Sequence, residues 1–172
     1  MNDKQIAHDL ASQFLAAIVT LKDCVDRCPD SEWHERHNDY PFSQVVFHTL
    51  FDCDYCLCDT KDDLQKQQFH IDNQKIFEDY EELREEPRRK LYEREFIVRY
   101  YEHCIIKIEN IAKTKTNNEM LVEKSDIYRN MTRLERYANA IRHIQHHAAQ
   151  LGLRLQFITN KEMEWISRGY ES

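Results

Sequence analysis

Arg142-His143-Ile144-Gln145-His146-His147-Ala148-Ala149-Gln150-Leu151-Gly152 carries three histidines within five residues. His143 and His147 are spaced i, i+4, which on a helix stacks both imidazoles on one face. Upstream, Thr132 with Glu135 three residues later is a capping-box pattern, so a helix is expected from Thr132 to about Phe157. Two imidazoles on one helix face are the usual start of a transition-metal site, and a pair needs a further protein ligand from elsewhere. The best candidate is His48, inside the apolar stretch Val45-Val46-Phe47-His48-Thr49-Leu50-Phe51.

Working outward, three more helices follow from apolar periodicity. The first is expected over Asp3 to Asp26, with Ile6, Leu10, Phe14, Ala17, Ile18 and Leu21 as its stripe. Cys28-Pro29-Asp30 ends it, because proline disfavours helix at the residue before it. A polar loop with Trp33, His34 and His37 follows. The second helix opens at Pro41-Phe42-Ser43, with proline at the start and serine as a plausible cap, and continues to about Cys58. The third is expected from Pro87 to about Lys115, where Leu91, Phe96, Ile97, Tyr100, Cys104, Ile105, Ile108 and Ile111 recur at helical spacing. Between the second and third lies a long irregular connection, Asp59 to Glu86. In it Phe69-His70-Ile71 can tuck back and Phe77 with Tyr80 can form a short helix. Such connections cross the end of a bundle or cover a site. Met120, Leu121 and Val122 read as part of a linker, and Met163-Glu164-Trp165-Ile166 as an apolar tail segment that docks.

With only two glycines and three prolines in 172 residues, a sheet protein would lack turn residues. The expected fold is all-α: one domain over 1–172, a four-helix bundle with long connections. Bundles build metal sites in their cores from facing helices.

A net charge of −7 argues against a nucleic-acid-binding face, since phosphates would be repelled. The densest basic cluster, Arg88-Arg89-Lys90, follows an acidic run from Glu78 to Glu86 and reads as solvated and salt-bridged. No stretch of about 18 apolar residues suits a membrane span. The N-terminus lacks the basic-then-apolar order of a signal peptide, so the cytoplasm is the expected location. Cys24, Cys28, Cys53, Cys56, Cys58 and Cys104 are expected as free thiols that pack like small hydrophobes. There is no G-x-S-x-G, no phosphate-cradling glycine loop and no H-E-x-x-H.

Three imidazoles would leave an open coordination position for water or substrate, which is a catalytic pattern. The alternative stays open at this level: a histidine pair on a charged helix can be surface, and a buried histidine can be hydrogen-bonded core. His146 points about 100° away from His147 and is expected at the rim. His103 is a weaker ligand candidate, and His34, His37 and His70 can line the mouth of a site. His8 is expected at the surface. Asp52, four residues after His48, can orient a ligand imidazole or act as a fourth ligand. Tyr55, Tyr100, Arg142 and Gln150 are further pocket candidates.

Phe42-Ser43-Gln44-Val45-Val46-Phe47-His48-Thr49-Leu50-Phe51, with Asp54-Tyr55 after it, and Arg142 to Leu151 together resemble the DinB-like (DinB/YfiT) superfamily. The order of the four helices fits as well. The resemblance implies a bundle with a three-histidine site, its first ligand on His48 and its paired ligands on His143 and His147. It implies zinc or nickel as the ion and a homodimer. Some relatives are thiol S-transferases that use a low-molecular-weight thiol; others have no known reaction. The family's "damage-inducible" label records regulation and does not imply DNA binding. The expectation is therefore a metal-dependent enzyme that activates a thiol or water against a small-molecule electrophile. The rival expectation is a non-catalytic, damage- or stress-inducible dimer of the same fold.

Overall fold

A computed structural model describes residues 2–37, 40–77, 90–122 and 131–170. Among the described residues the fold is all-α apart from one very short hairpin. Four long helices dominate: α1 (Gln5–Arg27), α3 (Phe42–Cys56), α7 (Arg94–Thr114) and α9 (Arg133–Thr159). Shorter elements join them: α2 (Asp30–Trp33), strands β1 (Arg36–His37) and β2 (Tyr40–Pro41), then α4 (Lys61–Gln65), α5 (Gln68–Asp72), α6 (Gln74–Phe77) and α8 (Asn117–Val122). The strands pair antiparallel, Arg36 with Pro41.

Helix α1 packs on α7 and α9, and α3 packs on the same two. The α1 stripe expected from the sequence is inside, where Phe14, Ile18 and Leu21 are essentially inaccessible. Each such side chain contributes about 1.5–3 kcal/mol on burial. Helix α1 ends at Arg27, and its last carbonyls would otherwise lack donors. The Arg94 guanidinium supplies them, donating to Val25 O and, at 2.9 Å, to Cys28 O. The same cation lies 4.3 Å from the Trp33 ring, and Trp33 is buried in α2, donating Nε1–H to Tyr92 O at 2.8 Å. The expected polar loop is thus partly a packed turn.

Helix α3 is buried on two faces. Phe47 stacks on Tyr92 at 3.8 Å between ring centroids. Pro41 is the N-cap, but Ser43 does not cap; its hydroxyl pairs with His34 Nδ1 at 3.2 Å. The helix stops at Cys56 rather than Cys58. Helix α7 begins at Arg94, seven residues later than expected, while Pro87, Tyr80, the acidic run and Arg88-Arg89 lie outside the described residues. The expected linker around Met120 is the helix α8, with Met120 buried. Thr132 caps α9, its hydroxyl accepting from Glu135 N–H at 3.2 Å. Asn160 ends α9 in the left-handed conformation, φ 55°, a common C-terminal stop.

All six cysteines are buried free thiols. In the tail Met163 packs on the core, but Trp165 is 83% exposed. No helix among the described residues is long and apolar enough to cross a membrane.

Candidate metal centre

Because α3 packs on α9, His48 meets the i, i+4 pair. One ligand atom from each of His48, His143 and His147 lies within 4.8 Å of the others, an arrangement that could hold a metal ion. The His48 ring centroid is 5.1 Å from each of the other two, and those two are 4.5 Å apart. The rings stand edge-on to one another, at interplanar angles of 75°, 89° and 87°. Three tetrahedral zinc ligands at 2.0–2.1 Å would place their nitrogens about 3.3 Å apart. The pair on α9 is already near that, with Nε2 atoms 3.0 Å apart.

The outward nitrogens have their own partners. His147 Nδ1 lies 2.9 Å from Gln150 Oε1, an acceptor, so Nδ1–H donates and Nε2 keeps a lone pair pointing inward. His143 Nδ1 lies 3.0 Å from Asp52 Oδ2. It is buried and makes no aligned hydrogen bond there. With the Gln150 carbonyl turned to His147 Nδ1, neutral imidazoles cannot satisfy both contacts of His143. If its proton sits on Nε2 and donates to His147, a Nδ1 lone pair faces the carboxylate. If its proton sits on Nδ1 and faces Asp52, two Nε2 lone pairs oppose each other. A cation at the centre, a metal ion or an extra proton, removes the conflict. The donor set therefore fits a divalent transition metal.

His147 is held well below the ordinary imidazole range, at about 4, first by burial and then by His143 and His48 beside it. It is neutral at physiological pH, as a metal ligand must be. His146 is exposed beside it, ring centroids 5.0 Å apart, and is not among the converging ligands. Arg142 is exposed, and Tyr55 is half-buried.

Three of the expected site residues go elsewhere, into a polar network that the sequence reading missed. Asp54 is fully buried at the lower end of α3. Its carboxylate accepts from His70 Nε2 at 2.7 Å, Tyr100 OH at 3.1 Å, Gln67 Nε2 at 3.2 Å and the Lys107 ammonium. His103 Nε2 donates to Gln67 Oε1 at 2.7 Å and stacks on Phe69 at 4.6 Å. His70, Tyr100 and His103 thus brace α5 against α3 and α7, and they do not line the histidine site. Burial opposes ionisation of Asp54, but Lys107, the His103 ring 3.7 Å away and the hydrogen bond from His70 outweigh it and hold the carboxyl well below its usual range. Lys107 is raised in return: burial lowers it, and Asp54 more than compensates. Cys58 joins the network, 3.2 Å from Lys107 Nζ, and burial pushes its thiol up to about 11. One signal could have found this network. Asp54 falls on the Phe47, Leu50, Phe51 face of α3, where an aspartate must have buried partners.

Comparisons of the chain with protein-family models, with curated proteins and with solved structures give no match.

Proposed function

We propose that this chain is a DinB-like metalloprotein: a cytoplasmic four-helix bundle that holds one divalent transition metal, zinc or nickel, on His48, His143 and His147. The observation that carries this reading is the convergence of His48, His143 and His147, one ring nitrogen of each within 4.8 Å of the others; the conflict at His143 is relieved by a cation placed there. Such an ion supplies acidity to a thiol or a water brought against it, making a nucleophile at neutral pH. The chain's own residues do the rest. His48 reaches in from α3, while His143 and His147 set the spacing from α9. Three protein ligands leave a position for a small-molecule substrate or a low-molecular-weight thiol. A thiol S-transferase or a hydrolase activity follows. The cobalt-loaded protein titrated with a small thiol tests this: a new sulfur-to-metal charge-transfer band is expected, and none would remove thiol activation from the account.

A second reading is favoured by one feature. Phe157 and Trp165 are more than four-fifths exposed, and Leu153 is over half exposed. Such an apolar face suits a second copy of the chain. In that reading the protein is a damage- or stress-inducible dimer in which the metal is structural. Loss of dimerisation in Phe157→Asp with metal content unchanged would support it.

A further inference from the structure

We infer that Asp52 and Gln150 are positioning residues for the three-histidine site and that they hold its two α9 imidazoles unequally, His143 as the anchored ligand and His147 as the exchangeable one. This inference rests on the metal-binding reading above.

The two acceptors come from different helices. Asp52 lies one turn beyond His48 on α3, so α3 supplies both a ligand and the acceptor that faces a ligand of α9. Gln150 lies three residues beyond His147, on the same face of α9. Each acceptor addresses Nδ1, which leaves Nε2 for the centre. A ligand imidazole whose other nitrogen donates to a carboxylate has a fixed tautomer and is a more basic donor.

The acceptors differ in charge and in access to water. Asp52 is a carboxylate with its side chain 17% exposed, and Oδ2 also accepts from the Cys56 thiol at 3.7 Å. Gln150 is a neutral amide at the exposed surface, where water competes for the same bond. The anionic, sheltered acceptor strengthens its histidine more. In this structure the Asp52 contact is close but out of line. Contacts of this kind commonly tighten only when the site is filled.

The test is cobalt binding to the full chain, measured by chelator competition and by the visible ligand-field spectrum, for wild type, Asp52→Asn, Asp52→Glu and Gln150→Ala. Asp52→Asn is expected to keep one cobalt per chain, to bind it about 10–100-fold more weakly, and to shift the spectrum. Gln150→Ala is expected to weaken binding only a few-fold and to speed metal release. Asp52→Glu, which keeps the charge, should recover part of the lost affinity. Wild-type affinity and spectrum in both Asp52→Asn and Gln150→Ala would overturn the inference and leave the metal site standing. Absence of cobalt, zinc and nickel binding in wild type would overturn both. Gln150 is exposed, so its variant keeps the test available if Asp52→Asn does not fold; an unchanged release rate there would refute the unequal holding.

Discussion

The Nε2 atoms of His143 and His147 lie 3.0 Å apart while their Nδ1 atoms face Asp52 and Gln150. Both rings thus turn their donor nitrogens toward one point, and His48 turns its ring edge-on to the same place. The chemistry argued for the site depends on what occupies that point.

A ligand that binds only the folded state stabilises it by mass action. At a free zinc or nickel concentration of 100 times the dissociation constant the gain is about 2.7 kcal/mol. For a chain of this size that corresponds to roughly 5–10 °C in Tm. Thermal melts with and without the ion should show this shift in wild type and none in His143→Ala. Equal shifts in both proteins would place the ion elsewhere.

In the metal-free protein His147 should titrate near 4. Burial is the main cause, and His143 and His48 add to it. His48→Ala removes one of these contributions, so the His147 midpoint must rise toward the ordinary 6.5. Nitrogen-15 NMR of the ring reads both values. A His147 midpoint at or above 6.5 in wild type would contradict the packed geometry.

The Asp54–Lys107 pair predicts two pH limbs. Asp54 is depressed in the fold, so its stabilisation is complete above the unfolded value of about 3.9 and is lost as pH falls through the native one. Lys107 is raised, so its share is complete below about 10.4 and is lost as pH climbs through the folded value. Asp54→Asn should flatten the acid limb of urea stability, and Lys107→Met the alkaline limb. Lys107→Met also leaves a buried carboxylate without its cation and should cost up to about 3–5 kcal/mol, less whatever His70, Tyr100 and Gln67 retain. The double variant should cost less than the sum of the two.

The chain's two glycines should respond oppositely to alanine. At Gly169 a Cβ would sit 2.1 Å from Leu15 Cβ and 2.7 Å from Ser12 O, a collision with α1 itself. Gly169→Ala should therefore release the tail, seen as faster proteolysis around Trp165. At Gly152 a Cβ meets Met163 Cγ at 2.8 Å and Cβ at 3.8 Å, so that side chain must swing aside about its first torsion, with no backbone in the way. Helix propensity favours Gly152→Ala by about 1 kcal/mol, so that variant should be neutral or slightly more stable. Equal tail cleavage in both variants would contradict the contact at Gly169.

Periodicity made the long helices legible, because Phe14, Ile18, Ile97 and Ile144 recur where one face must be buried. The capping residue of α9 was legible for the same local reason. The start of α7 was not, since Pro87 offers a helix start while Arg94 is held by the carbonyls of α1, a tertiary contact that no local pattern carries. His48, His143 and His147 stood out because imidazoles in an apolar stretch and at i, i+4 are conspicuous. Their outer partners were half-visible: Asp52 from its spacing to His48, and Gln150 only as one pocket candidate among several. His70 misled, because position in a connection says nothing about which helix a side chain leans on, and His103 on α7 turns to Gln67 and Phe69 instead of the site. The true partner of His70, Asp54, shares the Phe47–Phe51 face and is found only when the buried face is checked for charge.

The measurement that bears most directly on the account is the metal content of untagged protein by elemental analysis, for wild type and His48→Ala. About one zinc or nickel per chain in wild type, lost in the variant, is the predicted result, given three ligands from two helices. No metal in wild type after incubation with either ion, or full retention in His48→Ala, would contradict it.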